Sequence, residues 1–255
     1  MRIVIIGAGN VASVFGRLIK RANHEIIQVY SRDIIHAQSL ANELNCAFED
    51  DLNRLDMSAD MYIVAIVDSA LPGIYELFHV GDKLIVHTAG SVSKDVLKMV
   101  SLNYGVIYPL QSLRKDNPDL QLTIPLLIDG NSEAAFSTIK QFALTISPIV
   151  SRIDDEQRLK LHVAAVIVNN FTNYLYTLAA NYCKKENIDF KMLQPLIEET
   201  ALRIRDHAPG NMQTGPAARK DIATLNNHLL LLSKHPELKK MYLRMTDSIM
   251  NPEPC

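Results

Sequence analysis

The stretch "IVIIGAGNVASVFG", residues 3–16, decides the reading of this chain. Ile3 to Ile6 is an apolar, β-branched run, as expected of a strand buried on both faces. Gly7 permits a tight turn, and Gly9 lets the backbone approach a ligand closely. Asn10 is the expected cap of a helix over Val11 to Lys20. Ala12 fills the third small position of a Gly-x-Gly-x-x-Ala pattern, where helix packs on strand. Such a helix aims its free N–H groups and positive dipole end at the turn. A strand before the pattern and a helix after it are the context in which these glycines cradle a dinucleotide pyrophosphate. Gly7, Gly9, Asn10, Val11 and Ala12 are therefore assigned to cofactor binding.

The next expected strand, "EIIQVYSRD" (25–33), selects between dinucleotides. An NAD site usually ends this strand with Asp or Glu, which binds the ribose 2′-OH. Here it ends in Tyr30-Ser31-Arg32. A hydroxyl followed by a guanidinium suits a 2′-phosphate, so Ser31 and Arg32 point to NADP (NADPH). Asp33 falls late for a ribose contact and is expected to cap the helix that starts at Ile34.

Working outward, strands and helices alternate. Strands are expected over 60–68, 82–90, 104–110, 124–130 and 147–153, and helices over about 34–44, 69–78 and 131–145. That alternation predicts an α/β fold with a doubly wound, mostly parallel sheet and ligands at the strand C-terminal ends. From Asp154 the pattern turns wholly helical. Asp154 caps a helix running to about Lys184, and others follow over 190–206, 217–233 and beyond His235-Pro236. The chain is thus read as a dinucleotide-binding domain over 1–152 and a smaller all-α substrate and dimerisation domain over 153–255. The helix from Leu159 is apolar almost all round, which predicts burial on several sides and a homodimer.

Composition narrows the function classes. With 255 residues, 48% hydrophobic and 21% charged, the chain has material for a sizeable core. A net charge of −2 offers no basic excess for nucleic acid, and no nucleic-acid motif appears. The apolar segment 162–182 is interrupted by His162 and several Asn, which argues for a core helix over a membrane span. Cys46, Cys183 and Cys255 lack metal-ligand spacing, and their sparse use fits a reducing, cytoplasmic compartment. No His/Asp/Glu cluster has metal spacing. The N-terminus enters the first strand at once, which leaves no room for a signal peptide.

Three further motifs, "YPLQSL" (108–113), "HVAAVIVNN" (162–170) and "TGPAARKD" (214–221), resemble a bacterial family of NADP-dependent oxidoreductases. Its members have a Rossmann-like N-terminal domain and a C-terminal helical domain of unknown function. The family is related to the pyrroline-5-carboxylate reductases and the β-hydroxyacid dehydrogenases. The resemblance covers essentially the whole chain. This sequence departs from it at Tyr108, where the family often has His, and at Lys220, where it often has Gly. The Lys-x-x-x-Asn pair of the β-hydroxyacid dehydrogenases is absent, because Lys160 is followed four residues on by Ala164.

The resemblance directs attention to His162 and Asn170. On an ideal helix Asn169 lies about 20° and Asn170 about 80° around the axis from His162, so all three reach one cleft. His162 is the candidate acid for proton transfer near neutral pH, with Asn170 orienting a carbonyl or the nicotinamide amide. Thr214 is expected to cap the helix after Gly215-Pro216, Arg219 to clamp a substrate carboxylate, and Asp221 to orient Arg219 or His162. Ile66 and Val67 after one strand, and Ala89 and Gly90 after the next, run along the nicotinamide half of the cofactor, while Gln111 and Ser112 reach the substrate. His87 ranks below His162 as an acid. His79, His207, His228 and His235, without a recognisable partner in sequence, are read as surface or capping residues.

The resulting expectation is an NADPH-dependent reductase that transfers a hydride to a C=O or C=N group of a small, anionic metabolite held between the domains. The alternative is a non-catalytic NADP-binding sensor or scaffold, with His162 as packing. An open polar pocket beside the nicotinamide favours the first, and an apolar plug favours the second.

Overall fold

The structure, a computed structural model, describes residues 1–116 and 123–252. The chain divides into two compact units, Met1–Val168 and Asn169–Cys255.

In the first unit an eight-stranded sheet has the order β3-β2-β1-β4-β5-β6-β7-β8. Its strands are β1 (Arg2–Ile6), β2 (Glu25–Tyr30), β3 (Ala47–Glu49), β4 (Met61–Val64), β5 (Gly81–His87), β6 (Ser101–Pro109), β7 (Leu126–Gly130) and β8 (Val150–Arg152). The first six are parallel, β7 runs antiparallel to β6, and β8 is parallel to β7. This is the doubly wound, mostly parallel, Rossmann-like sheet that strand–helix alternation implied. Ile3, Val4 and Ile5 are fully buried, so successive side chains of β1 go to opposite covered faces. Each side chain so buried contributes about 1.5–3 kcal/mol.

The two faces are covered differently. On one, Ile5, Ile63 and Ile128 pack with Phe15 of α1 (Asn10–Arg21), Leu40 of α2 (Ile34–Leu44) and Phe142 of α3 (Glu133–Ile146). On the other, Val4, Tyr62 and Ile85 meet Leu71, Ile74 and Leu97 from short 3₁₀ turns. The helix expected over 69–78 is therefore two such turns, Asp68–Ala70 and Ile74–Glu76, with Pro72 and Gly73 between them.

The strands end at Arg152, but the first unit continues to Val168, because α4 (Asp155–Ala165) is fastened to it. Asp154 caps α4 as expected, accepting from the Gln157 N–H at 2.8 Å. The Asp155 carboxylate accepts from the Ser93 hydroxyl and the Lys94 N–H, and pairs with Arg158 at 2.8 Å. Arg158 is 1% exposed and also donates to the Val92 carbonyl. Lys94 reaches Asp129 of β7 at 2.9 Å.

After α4 the helix passes through one π segment, Val166–Phe171, and resumes as α5 (Thr172–Lys185). The second unit adds α6 (Gln194–Arg203), α7 (Ile222–Leu231) and α8 (Pro236–Met250). Two expectations are corrected here. The helix from Leu159 is not buried on several sides: Val163, Ile167, Val168, Phe171 and Tyr174 are each more than half exposed among the described residues, because an apolar run fixes a helix without fixing what covers it. Asp221, not Thr214, caps the helix of the third motif, accepting from the Thr224 N–H at 3.1 Å and its hydroxyl at 2.8 Å. Lys220 beside it has φ +55°, a left-handed conformation that glycine adopts without strain. His228 and His235 also have partners that sequence did not show, the Tyr242 hydroxyl and Glu186, both at 2.7 Å.

Among the described residues no helix is long and apolar enough to cross a membrane, and no group of three His, Cys, Asp or Glu could hold a metal ion. Cys46 and Cys183 carry free thiols, while Cys255 lies outside the described residues.

Candidate active site

The crevice at the C-terminal ends of β1, β2 and β4 is built by the opening stretch of sequence. Gly7 has φ +119°, and a Cβ there would lie 2.2 Å from the Ala65 carbonyl oxygen, so the turn requires glycine. Gly9 faces open space and is itself the N-cap of α1, with no side-chain hydrogen bond. The first amides of α1 are thus left uncapped, which is the donor set a pyrophosphate needs. Asn10 is not the cap; its side chain instead accepts from the Lys115 N–H at 3.1 Å, tying the segment after β6 to the start of α1.

A cavity of about 540 Å³ opens beside this turn. Gly7, Gly9, Asn10, Ser31, Arg32, Ile66 and Val67 all line it. So do His36 and Lys115, which sequence reasoning missed. Asp33 caps α2 through the Ile35 and His36 amides and does not line the cavity. Arg32 is exposed and makes no hydrogen bond or ion pair among the described residues. After β2 the lining offers Arg32 and His36, with Lys115 beside Asn10; the Asp33 carboxylate, 3.4 Å from His36 Nδ1, is held as the α2 cap and does not line the cavity, a pattern that fits a 2′-phosphate. The residues present fit NADP. Val11 and Ala12 stand in the first turn of α1 without lining the cavity, Ala12 being wholly buried.

The rims of β5 and β6 hold a second cluster. Ala89 and Gly90 are buried after β5 and do not line the cavity. Gly90 instead lies against Tyr108 of β6 and His162 of α4, whose Oη and Nδ1 are 2.9 Å apart. The Ser91 hydroxyl donates to Asp68, which follows β4. His87 is fully buried, and its Nδ1 accepts from the Ala89 N–H at 3.1 Å. Burial, helped by the Arg158 charge, pushes the His87 pKa down to about 4, so it is neutral near pH 7. Gln111 and Ser112 are exposed, and the Gln111 side-chain Oε1 turns back to accept from the Ser112 N–H at 2.9 Å.

The remaining sequence candidates belong to the second unit. Asn170 is exposed within the π segment, so the 100° steps that related it to His162 do not apply past Val166. Thr214 and Arg219 are exposed, and Asp221 has both carboxylate oxygens engaged as the α7 cap.

Residues 2–90 match the family described as "NADP oxidoreductase coenzyme F420-dependent", and residues 124–249 match a domain family of unknown function, DUF2520. Among solved structures, one from Bacteroides fragilis described as a "putative NADP oxidoreductase" is 37% identical. It superposes with a TM-score of 0.90, covering 98% of this chain and 97% of that one. An imine reductase from Myxococcus stipitatus in complex with NADP+ is 16% identical, with a TM-score of 0.67 over 99% of this chain and 95% of that one. A 1-pyrroline-5-carboxylate reductase from Streptococcus pyogenes is 17% identical, with a TM-score of 0.63 over 98% of both chains. The last two share the fold. No curated protein matches the chain.

Proposed function

We propose a reaction from this premise: the chain belongs to the family of the Bacteroides fragilis protein and is an NADP oxidoreductase. It reduces a C=O or C=N group of a small anionic metabolite. The bound cofactor supplies the hydride, and the protein binds, orients and provides the proton. The observation that carries this reading is an imidazole ring, His162, held at the strand rim by Tyr108 in the unit that bears the glycine turn. Ala89 and Gly90 extend the nicotinamide side, and Gln111 and Ser112 orient the reacting group.

Consumption of NADPH, followed by absorbance over a panel of carboxylate-bearing ketones and cyclic imines, tests the reading. Turnover of at least one is expected. Tight NADPH binding without any turnover would favour the sensor alternative.

The basic ribose end makes a separate prediction. NADPH should bind at least tenfold tighter than NADH, about 1.4 kcal/mol. Arg32→Ala should erase most of that gap, and added salt should narrow it. Fluorescence titration with both cofactors measures this; equal wild-type affinities would defeat the assignment.

We also propose that the exposed apolar side chains from Val163 to Tyr174 are covered by a second copy of this cytoplasmic chain. Light scattering at micromolar concentration should then report about twice 28.6 kDa. A monomer would refute the dimer.

A further inference from the structure

The hydrogen bond between Tyr108 and His162 joins strand β6 to helix α4 across 54 residues of sequence. The two rings meet edge to face, with centroids 5.7 Å apart and planes at 73°. This closeness depends on Gly90. A Cβ at that position would come within 2.6 Å of His162 Nδ1 and 2.8 Å of Tyr108 Cζ. No other hydrogen bond to the His162 ring exists among the described residues, so Nε2 is the nitrogen left for a ligand.

Burial raises the Tyr108 pKa above its usual value near 10; the Asp68 carboxylate adds to the rise and Arg158 opposes it. The phenol therefore keeps its proton through the neutral range. A neutral imidazole has one bare nitrogen, and the hydrogen bond made by one ring nitrogen sets which of the two carries the proton.

We propose that Tyr108 is a positioning residue: its hydroxyl donates to Nδ1 of His162, fixes the Nε2–H tautomer, and presents that proton to the heteroatom of the bond being reduced. What the proton does rests on the reductase reading; the tautomer itself does not. The step balances within the site. The substrate carbon gains the hydride, and its heteroatom gains the Nε2 proton. Nδ1 takes the Tyr108 hydroxyl proton as Nε2 gives up its own, so the ring remains neutral. Nδ1 then returns its proton to the phenolate as Nε2 takes up one from water, which restores the Nε2–H tautomer. Without the phenol, a neutral ring that gives up its Nε2 proton is left as an imidazole anion.

The test uses the full chain labelled with ¹⁵N, its histidine rings read by long-range ¹H–¹⁵N correlation at pH 8. His162 is identified by the signal missing from His162→Gln. The wild type should show one tautomer, with Nδ1 bare and Nε2 protonated. Tyr108→Phe, which keeps the ring and removes the hydroxyl, should show both tautomers. Gly90→Ala keeps both partners but forces them apart, and should do the same. A wild-type ring protonated at Nδ1 overturns the proposal, as does an unchanged tautomer in folded Tyr108→Phe. If neither variant folds, the wild-type spectrum alone decides. In turnover, Tyr108→Phe should lower kcat about tenfold with KM little changed. An unchanged kcat in the folded variant would overturn the proton path. A wild type that turns over no ketone or imine would sink the reductase reading, while the spectrum still decides the tautomer.

Discussion

Replacing His162 by alanine is expected to lower kcat by about 10²- to 10⁴-fold, the usual worth of a positioned general acid. NADPH affinity should be unchanged, because His162 does not line the cavity around the glycine turn. The loss should fall on kcat and kcat/KM alike, as for an interaction made only in the transition state. His162 is half-buried against Tyr108, so its truncation also loosens the rim and lowers the melting temperature. Turnover and thermal unfolding are therefore measured on the same sample, with kcat referred to the folded fraction. A variant with a lowered melting temperature and normal kcat would show that the ring only packs.

The second large effect is on stability in acid. His87 has its pKa pushed down to about 4 by burial, against about 6.5 in the unfolded chain. Above pH 6.5 the ring is neutral in both states and costs nothing. As the pH falls from 6.5 towards 4, the unfolded chain takes up a proton that the folded one refuses, and folding stability is lost. The loss reaches about 3 kcal/mol near pH 4 and then levels off. Denaturant unfolding of the wild type and His87→Gln at pH 7.5 and 4 isolates it, since the carboxylates titrate in both. The wild type should lose about 3 kcal/mol more than the variant. Parallel stability curves would show that His87 takes up its proton without hindrance.

What could be read from the chain alone was what depends on neighbours in sequence. The glycine turn, the Asp33 and Asp154 caps and the strand–helix alternation are each set within a few residues, and each stands where expected. What escaped depends on chain far away. Lys115 reaches the mouth of the cavity through a bond to Asn10, 105 residues earlier. Tyr108 stood out only as a departure from the family's His, and its partner lies 54 residues on, on another element. The π segment at Val166–Phe171 leaves no mark in an apolar run that suits an α-helix equally well. β3 is three residues long and partly exposed, too short for any periodicity to show. At Asp221 two polar residues competed for one cap, and the left-handed Lys220 set the turn that gave it to the later one.

The ion cluster at the start of α4 bears on how this chain can be taken apart. A fragment cut where the strands end, after Arg152, discards both Asp155 and Arg158. The Ser93 hydroxyl and the Lys94 amide then lose their acceptor, the Val92 carbonyl loses its buried guanidinium, and Lys94 keeps Asp129 alone. Those atoms belong to the strand-bearing half, yet their partners are written in the helical stretch that follows. A piece that keeps these bonds to the rim therefore extends at least through Arg158, past the end of the last strand.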